Sequence, residues 1–230
     1  MSRKIIAHLS GVDSVMRDLI AAAGPYRIRV DAACPPFQVL ARAIAHQQLN
    51  GTAANTILGR FVASCGDGSF PTPQAVLAAN ETVLRAAGFS FAKIASLRDL
   101  AAKTLEGVVP SREGLIELEN EVISERLTQV RGIGRWTVEM MLMFHLRRPD
   151  VLPVDDFGVR NGFRLAYGLR KMPVPRALHL YGVRWGPHRT AAAWYLWRAV
   201  ELAQAGKLPA APKGFRLPRL PRKRSRRASK

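Results

Sequence analysis

Two adjacent aspartates, Asp155 and Asp156, sit in the stretch PVDDFG of a chain dominated by positive charge. Ahead of FGVRNGFRLAYG, one carboxylate is enough to cap a helix N-terminus. The second suits a task that needs negative charge, and stabilising a developing cation is such a task. Twenty residues before Asp156 lies Trp136, within RGIGRWT, Arg131 to Thr137. Gly132 and Gly134 can take positive φ without a Cβ clash, and Ile133 can tuck between the flanking helices. Such a turn aims backbone N–H groups outward at a helix N-terminus, where the dipole favours an anion. A DNA phosphate suits that place, although an ordinary helix–helix turn often contains glycine as well.

The overall balance favours a polyanionic partner. Thirty-five Lys and Arg against seventeen Asp and Glu give a formal charge of +18, and the isoelectric point is about 11.2. Nucleic acid is the expected partner, with an anionic membrane surface as the rival. No apolar run reaches the roughly 20 residues that span a bilayer, and MSRKIIAHLSGVDS has too short an apolar segment for a signal peptide. The expectation is a soluble protein of the cytoplasm working on the chromosome, or of the nucleus in a nucleated cell. Cys34 and Cys65 alone cannot supply a disulfide framework, a four-thiolate zinc site or an iron–sulfur cluster. The last eighteen residues, KGFRLPRLPRKRSRRASK, hold nine basic and no acidic residues. Like-charge repulsion with Pro and Ser predicts a disordered basic tail over 209–230, suited to phosphate attraction.

The elements that must position these residues are helices. Apolar side chains recur at helical spacing in Phe37, Leu40, Ala41, Ile44; in Leu97, Leu100, Ala101, Leu105; and in Val138, Met141, Leu142, His145. Pro and Gly clusters break the pattern into short helices joined by tight turns. Asn80 and Ser90 read as N-caps and Gly88 as a helix-ending residue. Around RGIG the spacing predicts helices over about Asn120–Val130 and Arg135–Leu146, and a further helix over Arg189–Leu202. Only Tyr26–Asp31 alternates like a strand, and one strand makes no sheet. The fold class is all-α.

The stretch LTQVRGIGRWTVEMMLMFHLRRPDVLPVDDFGVRNG resembles the helix-hairpin-helix DNA glycosylase superfamily, most closely its 3-methyladenine DNA glycosylase II branch. FQVLARAIAHQQLNGTAANTILGRF, FPTPQAVL, LRAAGFSFAKIASLRDLA and YGVRWGPHRTAAAWYLWR are similar to that branch too, so the resemblance covers about Leu9 to Ala203. It implies two helical lobes with the active cleft between them. One lobe would use both chain ends, 1–35 and 154–208; the other would span 36–153 and contain the helix-hairpin-helix at about 120–146.

By position, Asp156 matches the family's catalytic carboxylate, which leaves Asp155 as the structural neighbour and the expected cap. Breaking an N-glycosidic bond builds positive charge on the sugar, as in glycoside hydrolysis, and a carboxylate there can stabilise that charge and orient water. Where strand-nicking relatives carry a Schiff-base lysine, this chain has Trp136, which implies a monofunctional enzyme that leaves the abasic site intact. Trp136, Trp197 and Met140 match base-pocket positions, and aromatic faces attract cationic alkylated bases. The base must be flipped out, and Gln48, with Gln47 beside it, matches the wedge that fills the gap. Arg131, Gly132, Ile133, Gly134, Arg135 and Thr137 form the expected phosphate-binding hairpin.

The expected substrate is duplex DNA carrying alkylated bases such as 3-methyladenine and 7-methylguanine. Rival readings are a glycosylase for uracil, oxidised purines or mismatches, with Glu139 or His46 as weak candidate acids, and a non-catalytic damage-binding module. His46, His145, His179 and His188 lack metal-ligand spacing, so no side-chain metal and no organic cofactor are expected. The family hairpin can hold a monovalent cation on backbone carbonyls. With no heptad seam or spare apolar stripe, the chain is expected to be a monomer.

Overall fold

Helices begin in this chain where a short polar side chain can take up an orphaned backbone N–H. Asp13, Asn50, Thr72, Asn80, Ser90, Ser111 and Asp156 each accept from a first-turn amide. Pro36, Pro73 and Pro175 occupy first-turn positions where no N–H is needed. Gly88 ends the Glu81–Ala87 helix with φ 109°, a left-handed conformation that its missing Cβ permits. The computed structural model describes residues 2–31 and 33–218, and among them are thirteen α-helices, one 3-10 turn and no strand. Tyr26–Asp31 runs without regular structure.

The helices group into two units, one of Arg29–Arg147 and one of Met1–Ile28 with Arg148–Lys230. These limits differ from the expected 35/36 and 153/154 because hydrogen bonds reach across each expected boundary. The Asp31 amide donates to the Phe144 carbonyl at 3.1 Å, and the Asp31 carbonyl lies 2.6 Å from His145 Nδ1, tying that segment to the central unit. Thr190 Oγ1 donates to the Arg148 carbonyl and accepts from the Val151 amide, tying 148–151 to the other unit.

In the Arg29–Arg147 unit, the Pro36–His46 and Phe91–Leu105 helices pack together, and Gly51–Cys65 packs on Glu81–Ala87. Leu40, Ile44, Phe61, Leu84, Phe89, Leu97 and Leu100 are fully buried between them. Phe61 meets Phe89 edge-on at 5.3 Å.

The other unit is organised around a buried carboxylate. Asp13 lies between the Ser2–Val12 and Ser14–Ala23 helices; its Oδ1 accepts from the Val15 and Met16 amides. Its Oδ2 accepts from Tyr167 Oη at 2.6 Å, Trp185 Nε1 at 2.9 Å and Tyr181 Oη at 3.2 Å. Burial, and then the Asp13 charge, push the Tyr167 phenol well above its ordinary value and Tyr181 up to about 12, so both stay donors. Phe163 stacks on Tyr167, and Phe215 joins the same cluster 4.9 Å from Tyr167. Phe215 belongs to the stretch expected to be a disordered tail; its half-buried ring joins this cluster, while most of 209–218 is exposed and carries no helix. The remainder of that tail, residues 219–230, lies outside the described residues. The Phe157–Ala166 and Arg189–Gln204 helices approach closely because Gly162 meets the Leu196 backbone, where any Cβ would overlap the carbonyl oxygen.

Asp13→Ala would leave three buried donors without an acceptor and remove a cap. A loss of about 3–5 kcal/mol follows, read as a lower urea midpoint, with Asp13→Asn losing less because it keeps an acceptor.

Candidate active site

The hairpin connects Asn120–Leu127 to Arg135–Phe144. Both helices are shorter than the periodicity suggests: successive tight turns, Val130 N–H to Leu127 and Ile133 N–H to Val130, end the first, and the His145 and Leu146 N–H groups both turn back to the Met141 carbonyl to end the second. Gly132 adopts φ 79°, and a Cβ there would stand 2.8 Å from Ser96 Oγ. Gly134 does not share that conformation: its φ is −95°, open space surrounds it, and it serves as an N-cap with no side-chain cap bond. The expectation of positive φ at both glycines is therefore corrected to Gly132 alone, because one left-handed residue already reverses the chain. Ile133 is buried.

A single face of the Phe91–Leu105 helix braces this turn. Asp99 Oδ2 accepts from the Arg131 amide at 2.7 Å, and Lys103 Nζ bridges Asp99 and the Gln129 carbonyl. Burial pushes the Asp99 carboxyl up, but the Arg131 N–H and then Lys103 outweigh it and hold the group below its ordinary value. Three hairpin carbonyls where a cation could sit already accept from donors: Gln129 from Lys103, Val130 from Ile133, and Gly132 from Gln47 Nε2 at 2.8 Å. The Arg135 guanidinium is committed elsewhere, with two bonds to Glu121 and a contact to Glu139 at 3.5 Å. The side chain remains more than half exposed in this arrangement. Through its backbone Arg135 still opens the second helix.

A cavity of about 930 Å³ lies within the same unit. Trp136, half exposed, lines it together with Met140 and Thr137 from the second hairpin helix. Gln47 and Gln48 line it from the turn after Pro36–His46, and Arg131 and Gly132 from the hairpin. Lys93 and Ser96 contribute from the bracing helix. Gln48 is exposed and holds φ 58°, a left-handed conformation costing about 1–2 kcal/mol in a residue with a Cβ. Eight candidate site residues from the sequence, these seven and His46, thus share one cavity, while Lys93, Ser96 and Asp99 were not singled out at all. A polar stripe at helical spacing was the available signal, and it reads equally as a solvated face.

Asp156 belongs to the other unit, where it caps the Phe157–Ala166 helix, its Oδ1 accepting from the Val159 amide at 2.7 Å. This corrects the assignment of the cap to Asp155, which is exposed. The cap fixes the Asp156 carboxylate at the positive end of a helix. Trp197 Nε1 donates to the same Oδ1 at 2.9 Å. Trp197, expected in the base pocket, thus holds the aspartate's orientation within this unit. A Cβ on Gly158 would stand 2.7 Å from the indole, so the glycine makes room for that bond. Gly158 and Gly162, one turn apart, give the Arg189–Gln204 helix its close approach. Among the described residues no group of three or more His, Cys, Asp or Glu could hold a metal ion, and no helix is long and apolar enough to cross a membrane.

Residues 41–186 match the family of the HhH-GPD superfamily base excision DNA repair protein. The chain is 44% identical over 207 residues to DNA-3-methyladenine glycosylase 1 of Schizosaccharomyces pombe, covering 90% of each. A solved structure of a fission-yeast 3-methyladenine DNA glycosylase in complex with abasic DNA superposes with a TM-score of 0.76 at 43% identity, over 87% of this chain and 98% of that one. A DNA-3-methyladenine glycosidase structure from Bacillus halodurans gives 0.79 at 33% identity, over 87% and 91%.

Two outcomes follow for the hairpin. Gly132→Ala is expected to destabilise by about 1–2 kcal/mol or more, from forced φ and the Ser96 contact, while Gly134→Ala is near neutral in urea unfolding. For Asp99 the folded-state pKa is depressed, so its contribution is present above the ordinary carboxylate range and lost as pH falls through the folded value. The stability gap between wild type and Asp99→Asn at neutral pH should close on acidification.

Proposed function

The chain belongs to the HhH-GPD superfamily of base excision DNA repair proteins, and on that premise we propose that it is a monofunctional DNA glycosylase that removes alkylated bases from duplex DNA. The observation that carries the reading is the Asp156 carboxylate, gripped by a helix N-terminus and the Trp197 indole. Pure phosphate binding needs no such group, which weighs against a non-catalytic module.

In this reading the hairpin takes the DNA backbone through N–H groups at the start of Arg135–Phe144, and the Arg29–Arg147 cavity takes the extruded base. The Trp136 face attracts a purine made cationic by N3 or N7 alkylation, an effect of about 0.5–2 kcal/mol. The C1′–N bond breaks with its electron pair leaving on the base, which departs neutral because it began as a cation. Asp156 stabilises the oxocarbenium-like sugar and orients the water that adds to C1′, whose proton passes to the carboxylate or to solvent. Trp136 has no amine with which to form a Schiff base, so the product is an intact abasic site. Gln48 fills the vacated stack. A monomer acting on chromosomal DNA, with the basic tail adding phosphate attraction, completes the proposal. The substrate class is supported by the names and likeness of the relatives, together with a cavity that places an aromatic face beside Met140.

Incubating methylated duplex DNA with the protein should release 3-methyladenine or 7-methylguanine, detected by mass spectrometry, without strand scission. Asp156→Asn should lose release by a factor of about 100 or more while binding DNA as well as wild type or better, since a negative charge is removed. Retained excision by that variant would sink the assignment, and tight salt-sensitive binding without any release would favour the binding module.

A further inference from the structure

The turn after the Pro36–His46 helix is held by a cation that reaches it from a different helix. Lys93 Nζ donates to the Ala45 carbonyl at 2.7 Å and to the Gln47 carbonyl at 2.8 Å. These are end-of-helix acceptors, where unpaired carbonyls and the negative end of the dipole favour a positive charge. Gln47 passes the constraint on through its Nε2, bonded to the Gly132 carbonyl. The next residue, Gln48, is left-handed without being glycine, a conformation that persists only where its surroundings over-determine it. Lys93, Ser96, Asp99 and Lys103 share one face of the Phe91–Leu105 helix. Lys93 secures the glutamine turn, Ser96 lies under Gly132, Asp99 takes the Arg131 amide and Lys103 takes the Gln129 carbonyl.

We propose that Lys93 is a positioning residue for base excision: its ammonium locks the Gln47–Gln48 turn in the conformation that fills the vacated base stack, and couples that turn to the phosphate-binding hairpin. The proposal rests on the glycosylase reading of both loops. Lys93 lines the cavity, and burial lowers its amine from the ordinary value, features shared with lysines that attack abasic sugars. Its two carbonyl partners set it apart from those. They accept two of its protons and stabilise the charged form, which has no lone pair to offer a sugar carbon.

The test uses the full chain and the variants Lys93→Met and Lys93→Cys, with folding checked by thermal melting. Single-turnover excision from methylated duplex is read beside affinity for abasic and for undamaged duplexes. Lys93→Met should lower both the excision rate and abasic-duplex affinity by about tenfold or more, and leave undamaged-duplex affinity within about twofold. In a chain with Cys34 and Cys65 replaced by Ser, which must itself excise as wild type does, aminoethylation of Lys93→Cys with bromoethylamine restores an ammonium on a side chain of equal length and should recover both properties. The same treatment of Lys93→Met should recover neither. Wild-type behaviour of Lys93→Met overturns the proposal, as do equal losses on abasic and undamaged DNA, or failure of the aminoethylated protein to recover. Borohydride trapping of Lys93 on abasic DNA also overturns it, since that would make the residue a nucleophile. If wild type prefers abasic duplex yet releases no alkylated base, the glycosylase reading falls, and the ratio of abasic to undamaged affinity still decides the role of Lys93.

Discussion

A single carboxylate-to-amide bond, Asp99 to the Arg131 N–H, sets the geometry on which the Arg29–Arg147 unit depends. It pins the first residue of the RGIG turn to a long helix, and Lys103 pins the Gln129 carbonyl just before it. With both ends of the turn held, Gly132 can close against Ser96 in a conformation other residues resist. Ile133 then enters the core, and Gly134 opens the next helix with backbone groups at its N-terminus. A shift in Asp99 would reach Trp136, five residues along the chain from Arg131, through the Val130–Ile133 turn and the first turn of the next helix, closed by Val138 N–H to the Gly134 carbonyl.

The same device, a charged group held by several partners at least one of which comes from a distant segment, recurs in both units. Asp13 gathers the amides of one helix and three aromatic donors from another part of the chain. Asp156 gathers an amide and an indole. Lys93 gathers two carbonyls. In a chain with twice as many cations as anions, these carboxylates have specific tasks and several donors each, which is how a partly or fully buried charge is made tolerable. Repulsion among the many surface cations raises the cost of compaction, and the buried anions at such junctions offset some of it.

Small residues do comparable work by absence. Gly158 admits the Trp197 ring beside Asp156, and Gly162 admits the Leu196 backbone, so two helices approach closely enough for an indole to orient a carboxylate. Neither glycine is in the left-handed region. What each supplies is room, and room is a property of the neighbour across the interface rather than of the local sequence.

Chemistry that closes within a few residues was legible from the chain itself. Asn80 and Ser90 cap their helices, Gly88 ends one, and the all-α class follows from periodicity because these bonds span only two to five positions. The family resemblance placed the hairpin and Asp156 by motif. Which side chain orients Asp156, which glycine turns left-handed, where Arg135 points and what Lys93 holds were decided by tertiary structure. Their partners lie far along the chain: Trp197 is 41 residues from Asp156, Asp99 is 32 from Arg131, and the carbonyls of Lys93 are 46 and 48 away. Sequence alone determined which groups could form such bonds, since that is fixed by residue type and local spacing. Packing chose among them, since only the folded core brings distant donors and acceptors within 3 Å or so of each other.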